Sequence, residues 1–505
     1  MVFQEITHRL AGKRHYLFPL MVMVALFICF WKLGSEPLHQ WDESRNGVNA
    51  IEMLQNHDYV NLFYGGLPDT WNAKPPLMIW MIAGSFKIFG TNEFALRFPS
   101  AVAIFLSFII LYRIIKLYGD DWLAFATCLM LMTVNGLIGS HVGRTGDFDA
   151  LFILFLLMTT YFALRYLDFN NLNFIIYCGI SMGLAFYTKG LAALIILPGF
   201  ILYSLITKRF LRILKDYRFW IAVLCFFFFI ISWYLIVSVY GLKFEESVYG
   251  SADSFETMWK YDILQRLTEG VSKGHIRNYA FFFNYLDARF NLWNYLFYLV
   301  LAITIYKLVN KNWKVTDYEK NPLTKLALFS FCIWASMGIF LTFAVETHNW
   351  YLAPALPFVA ITTVIGCNYL IKHYWFVIFV LTALVIFTFT RKIKDLGSPD
   401  NYPPMLSGNE MAIKGAGKIV CLNIDRQDYF CYMMMRNGYV EPVFQTYDTA
   451  MLQSLIRQIE HESKYQGPGI LFLKKDNCPE DFKNCNNFRV IGSDEQYILT
   501  VVESN

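Results

Sequence analysis

Residues 217–240 read YRFWIAVLCFFFFIISWYLIVSVY, with one charge, Arg218, next to the start. About 20 apolar helical residues cross the hydrocarbon of a bilayer, and this run is long enough. Working outward, comparable runs of roughly 17 to 24 residues recur near 16–33, 98–118, 122–140, 149–167, 172–188, 190–207, 290–308, 324–345, 351–371 and 374–391, about eleven spans in all. The split at Lys189-Gly190 and the start of the second span are the least regular boundaries. A shorter apolar stretch, Pro75 to Phe89, lies between charged residues and reads as an interfacial helix.

Composition agrees. The 505 residues are 56% hydrophobic and only 16% charged, against roughly a quarter charged in soluble domains. The 47 Phe and 31 Tyr supply apolar surface that lipid contact absorbs and a soluble core does not. A net charge of +4 without a basic tract interleaved with aromatics excludes nucleic acid as a partner. The expected fold class is an α-helical polytopic membrane protein with interfacial helices in its first extracytoplasmic loop, followed by a small C-terminal α/β extracytoplasmic domain.

Basic residues orient the spans. Arg9/Lys13/Arg14, Arg113/Lys116, Arg165, Lys208/Arg209/Arg212/Lys215/Arg218 and Lys307/Lys311/Lys314/Lys320/Lys325 all fall on one side, which the positive-inside rule makes cytoplasmic. Loops 34–97, 141–148, 241–289 and 346–350 and the tail then face the other side. The first apolar run is too long for the core of a signal peptide and lacks a small-residue cleavage site, so it reads as an uncleaved span. The expected location is the inner (cytoplasmic) membrane, multi-pass, with a cytoplasmic N-terminus and a periplasmic tail.

The expected division is 1–391 for the membrane domain and 392–505 for the tail. In the tail, Lys418 to Asn423 and Gly469 to Leu473 read as buried strands and Thr449 to His461 as a helix. It holds four of the ten cysteines, Cys421, Cys431, Cys478 and Cys485. Outside the cytoplasm these suggest disulfides, with Cys421–Cys431 and Cys478–Cys485 as one of the three pairings that four cysteines allow.

Four segments place ionisable groups against the membrane surface, where they are costly. His39-Gln40-Trp41-Asp42-Glu43-Ser44-Arg45 precedes an amphipathic stretch, so its acids sit near a helix start, where an ordinary N-cap explains Asp42 equally well. Lys74, in Trp71-Asn72-Ala73-Lys74-Pro75-Pro76, stands at headgroup level to meet a lipid phosphate or simply to snorkel. His141-Val142-Gly143-Arg144-Thr145-Gly146-Asp147-Phe148-Asp149 carries more charge than a short turn needs. Lys273-Gly274-His275-Ile276-Arg277 precedes an aromatic run and offers cations to a phosphate. Lys189 and Glu346-Thr347-His348-Asn349-Trp350-Tyr351 complete this polar face.

Together these motifs resemble the C-type, polyprenyl-phosphate-sugar-dependent glycosyltransferases, a family that includes the protein O-mannosyltransferases and the aminoarabinose transferases of lipid A. The resemblance covers roughly residues 10 to 390. It rests on Asp42-Glu43 with Arg45, Lys74-Pro75, Arg144 to Asp149, Tyr187-Thr188-Lys189-Gly190, the His275 loop before aromatics, and Tyr351 to Pro357, in that order along the chain.

The resemblance implies a membrane enzyme that moves a single sugar, with inversion, from a polyprenyl-phosphate donor to an extracytoplasmic lipid, glycan or protein. Asp42 matches the family's catalytic aspartate and is expected to act as base, with Asp149 as second catalytic candidate. Glu43, Arg45, Lys74, Arg144, Asp147, Lys189, His275, Arg277, His348 and Tyr351 are expected to bind substrate or the donor phosphate. Such a reaction asks a carboxylate to take the acceptor's proton and fixed cations to meet the departing phosphate. The aminoarabinose transferases tend to carry a carboxylate just before the Lys-Pro, which with a loop His can hold a metal. Here that position is Ala73, so no metal ligand is assigned and no cofactor is expected, with a divalent metal left open. A lipid-linked sugar flippase or transporter, and a lipid-linked oligosaccharide ligase, are the alternatives.

Overall fold

Helix α1 (Leu17–Phe30) leads into a segment containing α2 (Asp42–Asn56) and α3 (Leu77–Phe89). The apolar helices α4 (Glu93–Lys116), α5 (Asp121–Met132), α6 (Asp149–Leu167), α7 (Phe174–Lys189), α8 (Leu197–Ile206), α9 (Tyr217–Tyr240), α10 (Trp293–Asn310), α11 (Pro322–Phe343) and α12 (Leu356–Leu370) follow. This computed structural model describes residues 16–69, 72, 74–139, 141–242, 278–310, 321–344, 347–370, 386–391, 393, 402–422, 425–443, 454, 457–459, 468–475 and 488–502.

Five helical segments among the described residues are long and apolar enough to cross a membrane: Glu93–Lys116, Asp149–Leu167, Phe174–Ile206, Tyr217–Tyr240 and Pro322–Phe343. Helix α9 leaves Leu224, Phe227, Phe228, Ile231 and Leu235 exposed. An apolar face of that kind needs lipid to cover it. The chain is a multi-pass membrane protein. Its helix α3 has 13 residues, about 20 Å at 1.5 Å per residue, too short for a hydrocarbon core of about 30 Å.

The runs expected at 172–188 and 190–207 join without a loop. Helix α7 passes at Gly190, φ +60°, into a 3-10 turn over Gly190–Ile196 and then into α8. Lys189 therefore stands at a break in an otherwise apolar path. The span expected at 374–391 lies mostly outside the described residues.

The polar segment after α2 folds back as a hairpin, β1 (Phe63–Tyr64) against β2 (Leu67–Pro68). Its turn residues Gly65 and Gly66 both have positive φ, the requirement of a tight two-residue hairpin turn. Their backbone N–H groups donate to Glu52 of α2 at 2.7 and 3.1 Å.

The tail forms a mixed five-stranded sheet from β3 (Lys418–Leu422), β4 (Val440–Val443), β5 (Gly469–Lys474), β6 (Phe488–Ser493) and β7 (Tyr497–Val502), in the order β4-β3-β5-β7-β6. The strands expected at 418–423 and 469–473 are β3 and β5. The helix expected at 449–461 lies mostly outside the described residues. Parallel neighbours need a crossover, and α13 (Gln427–Asn437) supplies it between β3 and β4. This helix is buried from Asp428 to Met435 because it also packs on α2.

The expected pairing of Cys421 with Cys431 does not form. Both are free and buried, one on β3 and one on α13. Cys431 turns instead toward α2, where its Sγ would lie 2.7 Å from a Cβ added at Gly47. Cys478 and Cys485 lie outside the described residues.

Further contacts join tail and membrane bundle. Arg436 Nη2 donates to Glu93 Oε1 at 2.8 Å. Tyr402 Oη donates to the same carboxylate at 3.2 Å and accepts from Leu38 N at 2.9 Å. Gln55 of α2 donates to the Gly438 carbonyl. Helix α2 is thus held between the membrane helices and the tail.

Candidate active site

Helix α2 starts abruptly. Trp41, just before it, has φ +75°, a conformation a non-glycine residue seldom holds without support. Glu43 supplies the support. Its carboxylate accepts from His39 N at 2.7 Å, Arg97 Nε at 2.7 Å and Gly146 N at 3.0 Å. Burial alone would raise the Glu43 carboxyl, but the Arg97 guanidinium beside it holds it below the usual range. Arg97 also donates to the carbonyls of Leu33, Glu36 and Pro37. Glu43 therefore pegs α2 to α4 and to the 141–148 turn.

Arg45 turns inward as well. Its Nε and Nη2 meet Asp69 Oδ2 and Oδ1 at 2.7 and 2.5 Å, a two-pronged pair closed by Asn49. Asn46 donates to the Gly146 carbonyl, and Asn72 donates to both Asn46 and Asn49. Arg144 donates to the carbonyls of Ile28, Cys29 and Lys32. Glu43, Arg45 and Arg144, expected to bind substrate, thus build the frame of the loop.

The remaining acids gather above that frame. The His141 Nδ1 lies 3.4 Å from Asp147 Oδ2 and 4.0 Å from Asp42 Oδ2. His141 itself has φ +67°. Its ring stacks on Trp350 with centroids 3.9 Å apart, and Trp350 stacks on His348 at 4.9 Å. Burial acts to lower the His141 imidazole, but the facing carboxylates outweigh it and raise it above the usual value. Asp147 is fully enclosed; burial raises its carboxyl, which facing His141 only partly offsets. Thr145 Oγ1 donates to Asp147 at 3.0 Å.

Next to this group, Lys189 Nζ donates to Asp149 at 2.6 Å and lies over the rings of Tyr351 and Phe152. The helix break at Gly190 brings this lysine to the first residue of α6. Lys74 Nζ sits 5.1 Å from the Phe148 ring. Among the described residues it has no carboxylate partner, whereas Arg45, Arg97 and Lys189 each hold one. Asp42, its side chain 44% exposed, has no hydrogen bond to its carboxylate among the described residues. The site thus offers an accessible carboxylate and, among the described residues, a cation without a carboxylate partner at one end of the helix bundle.

The structure therefore groups Asp42, Asp147, Asp149, Lys189, His348 and Tyr351, with Lys74 alongside. His275 and Arg277 lie outside the described residues. Asp69, Arg97 and Trp350 carry structural weight that no sequence motif marks, and His141 stands out in sequence only through the density of charge around it. The ligand pair that the family resemblance associates with a metal is incomplete, because Ala73 has no donor atom. No step is routed through an ion there.

Comparison with known proteins agrees with this architecture. Residues 73–235 match the dolichyl-phosphate-mannose-protein mannosyltransferase family. The undecaprenyl phosphate-alpha-4-amino-4-deoxy-L-arabinose arabinosyl transferase of Pseudomonas savastanoi pv. phaseolicola is 29% identical over 205 residues, 39% of this chain and 37% of that one. The enzyme of the same name from Photorhabdus laumondii is 30% identical over 204 residues, 38% of this chain and 35% of that one. The matches thus span little more than a third of these relatives' length. In fold the likeness is complete: the crystal structure of ArnT from Cupriavidus metallidurans bound to undecaprenyl phosphate superposes with a TM-score of 0.70 at 15% identity, covering 96% of this chain and 97% of that chain. The archaeal oligosaccharyltransferase AglB from Archaeoglobus fulgidus, in complex with an inhibitory peptide and a dolichol-phosphate, gives 0.53 at 10% identity, covering 91% and 69%. The chain has an ArnT-like fold and resembles the polyprenyl-phosphate-sugar glycosyltransferases in sequence.

Proposed function

We propose that this protein transfers a single sugar from a polyprenyl-phosphate donor to an acceptor on the extracytoplasmic face of the membrane, with inversion. The observation that carries the reading is the accessible Asp42 carboxylate, free of hydrogen bonds among the described residues, in a site where Lys74, without a carboxylate partner among the described residues, lies over Phe148 on an ArnT-like fold. Asp42 takes the acceptor's proton as the acceptor oxygen attacks the anomeric carbon. Lys74 meets the phosphate that leaves. Lys189 fixes Asp149 for positioning the sugar or acceptor, and His275 and Arg277 are further candidates for the phosphate.

The orientation has support from α6. Asp149 opens this helix and Arg165 lies in its last turn; at 1.5 Å per residue its ends stand about 28 Å apart, close to one hydrocarbon thickness. This spacing supports a reading in which Arg165 and the candidate site belong to opposite membrane faces. In this reading residues 1–391 form the transferase domain of an inner-membrane protein with a cytoplasmic N-terminus, and 392–505 an extracytoplasmic domain seated on α2. The acceptor is lipid A, a glycan or a protein.

The test is transfer in proteoliposomes supplied with sugar-loaded undecaprenyl phosphate and candidate acceptors. Wild-type protein is expected to yield a covalent product one sugar heavier, and Asp42→Asn none while still binding donor. Sugar crossing the bilayer without a product would mean a flippase, and a product heavier by a whole glycan would mean a ligase. Near-normal turnover by Asp42→Asn removes Asp42 as base.

A further inference from the structure

We infer that Tyr402, at the start of the tail, is a positioning residue for Asp42: its hydroxyl, bonded to the Leu38 amide, fixes the loop from which that carboxylate projects. The inference rests on the proposed transfer reaction only for what Asp42 does. Among the described residues the Asp42 carboxylate accepts no hydrogen bond, and the His141 Nδ1 is 4.0 Å away. Its aim is therefore set by the backbone that carries it.

That backbone is constrained from two sides. Trp41 holds φ +75°, a conformation that persists only where the surroundings over-determine it. From the membrane bundle, Arg97 takes the carbonyls of Leu33, Glu36 and Pro37. From α2, Glu43 takes the His39 amide, and Ser44 Oγ donates to the His39 carbonyl at 2.6 Å. The Leu38 amide is left to the tail and donates to Tyr402 Oη at 2.9 Å. Two positions on, Gln40 Nε2 donates to the Asp425 carbonyl at 3.1 Å. The tail thus grips the loop just ahead of Asp42.

Tyr402 is itself held in place. Its hydroxyl donates to Glu93 Oε1 at 3.2 Å while accepting from Leu38, and the same Glu93 oxygen accepts from Arg436 of α13 at 2.8 Å. Its ring lies 4.3 Å from that of Tyr432, and the Arg436 guanidinium packs on the same Tyr432 ring. A side chain locked by packing and by its own hydrogen bonds is what precise support of a reacting group needs. Docking of the tail does not depend on this hydroxyl. Arg436 on Glu93, Gln55 on the Gly438 carbonyl, Cys431 close to Gly47 and Phe430 beside Tyr64 seat the tail on α4, α2 and the hairpin, all beyond Asp42 in the chain. Tyr402→Phe therefore keeps the ring and the docking; it removes the acceptor of the Leu38 amide and one of the donors to Glu93.

Misplacing a reacting group by about 1 Å can cost about 100-fold in rate. In proteoliposomes Tyr402→Phe is expected to lower kcat by about 10- to 100-fold, with the KM for sugar-loaded undecaprenyl phosphate and the thermal midpoint near wild type. Hydrogen exchange at single-amide resolution gives a second readout. The Leu38 amide is expected to be protected in the wild type, like that of His39. In Tyr402→Phe exchange over 38–45 is expected to accelerate by about 10-fold, the worth of one hydrogen bond, with α13 unchanged. A Leu38 amide that exchanges freely in the wild type overturns the proposal without any variant having to fold. A normal kcat in Tyr402→Phe overturns it as well, and so does a fall in kcat with exchange over 38–45 unchanged or with α13 accelerated equally. Exchange is read without turnover. Wild-type protein that transfers no sugar therefore refutes the transferase reading, while the exchange result still decides whether Tyr402 holds the loop.

Discussion

Arg97 Nε lies 2.7 Å from Glu43 Oε1 with both side chains fully buried, so the residue next to the proposed base is anchored to the first long membrane helix. Removing one partner leaves the other charge in a low-dielectric site, at a cost of about 3–5 kcal/mol. Arg97→Met and Glu43→Gln are each expected to lower the thermal midpoint of the purified protein strongly. The double variant Arg97→Met/Glu43→Gln is expected to lose less than the sum. Additive losses in a double-mutant cycle would show that the two do not act as a pair.

Lys189 and Asp149 make the second decisive contact, at 2.6 Å. If they work as a unit, each single change costs what removing an oriented charge from a reacting site costs, about 3 kcal/mol or roughly 100-fold in kcat. Lys189→Met and Asp149→Asn are expected to fall to similar rates, and the double variant to fall no further. Multiplied losses in steady-state kinetics would separate their roles.

Glu52 ties the hairpin turn to α2, and its burial pushes its carboxyl up to about 7 from an ordinary 4.5, against the pull of the Gly66 and Gly65 amides. The folded protein then holds this proton more tightly than the unfolded chain. The stability linked to it is fully present below about 4.5 and is lost as pH rises through about 7. Hydrogen exchange at Gly65 and Gly66, corrected for intrinsic rate, is expected to accelerate over that window. Glu52→Gln is expected to flatten the dependence; an unchanged pH profile in that variant refutes the assignment.

Gly47 lets α13 approach α2. Replacing it with Ala brings the new methyl into Cys431 Sγ, and overpacking of this kind costs about 1–3 kcal/mol. The same change gains about 1 kcal/mol of helix propensity. Gly47→Ala is expected to destabilise the wild type, but to become neutral or stabilising with Cys431→Ala beside it. A loss of equal size in both backgrounds, measured by thermal unfolding, would mean that the close approach is not what Gly47 serves.

The apolar runs were legible because a helix in lipid needs an unbroken length, and a sequence displays length directly. Strands β3 and β5 were legible for a similar reason: both are buried over most of their length and read as continuous apolar segments. Asp42, Asp149 and Lys189 stood out as charges beside apolar helices. What could not be read was partnership. Glu43 and Arg45 have the same polarity as Asp42, yet only Arg97, 54 positions away, and Asp69, 24 positions away, show that they face inward. His141 was one charge in a dense turn until Trp350 and the two aspartates were placed around it. The cysteine pairing was misread because an even count says nothing of burial: Cys421 and Cys431 fill apolar space on separate elements.

The seating of the tail on α2 also sets an order of events. Leu38 is bonded to Tyr402 across 364 positions, and Glu93 to Arg436 across 343. The helix that presents Asp42 emerges early in synthesis, but α13, which packs on it, is made late. A chain that stops before Tyr402 and Arg436 therefore lacks the bonds these residues make to Leu38 and Glu93 on either side of α2 and α3.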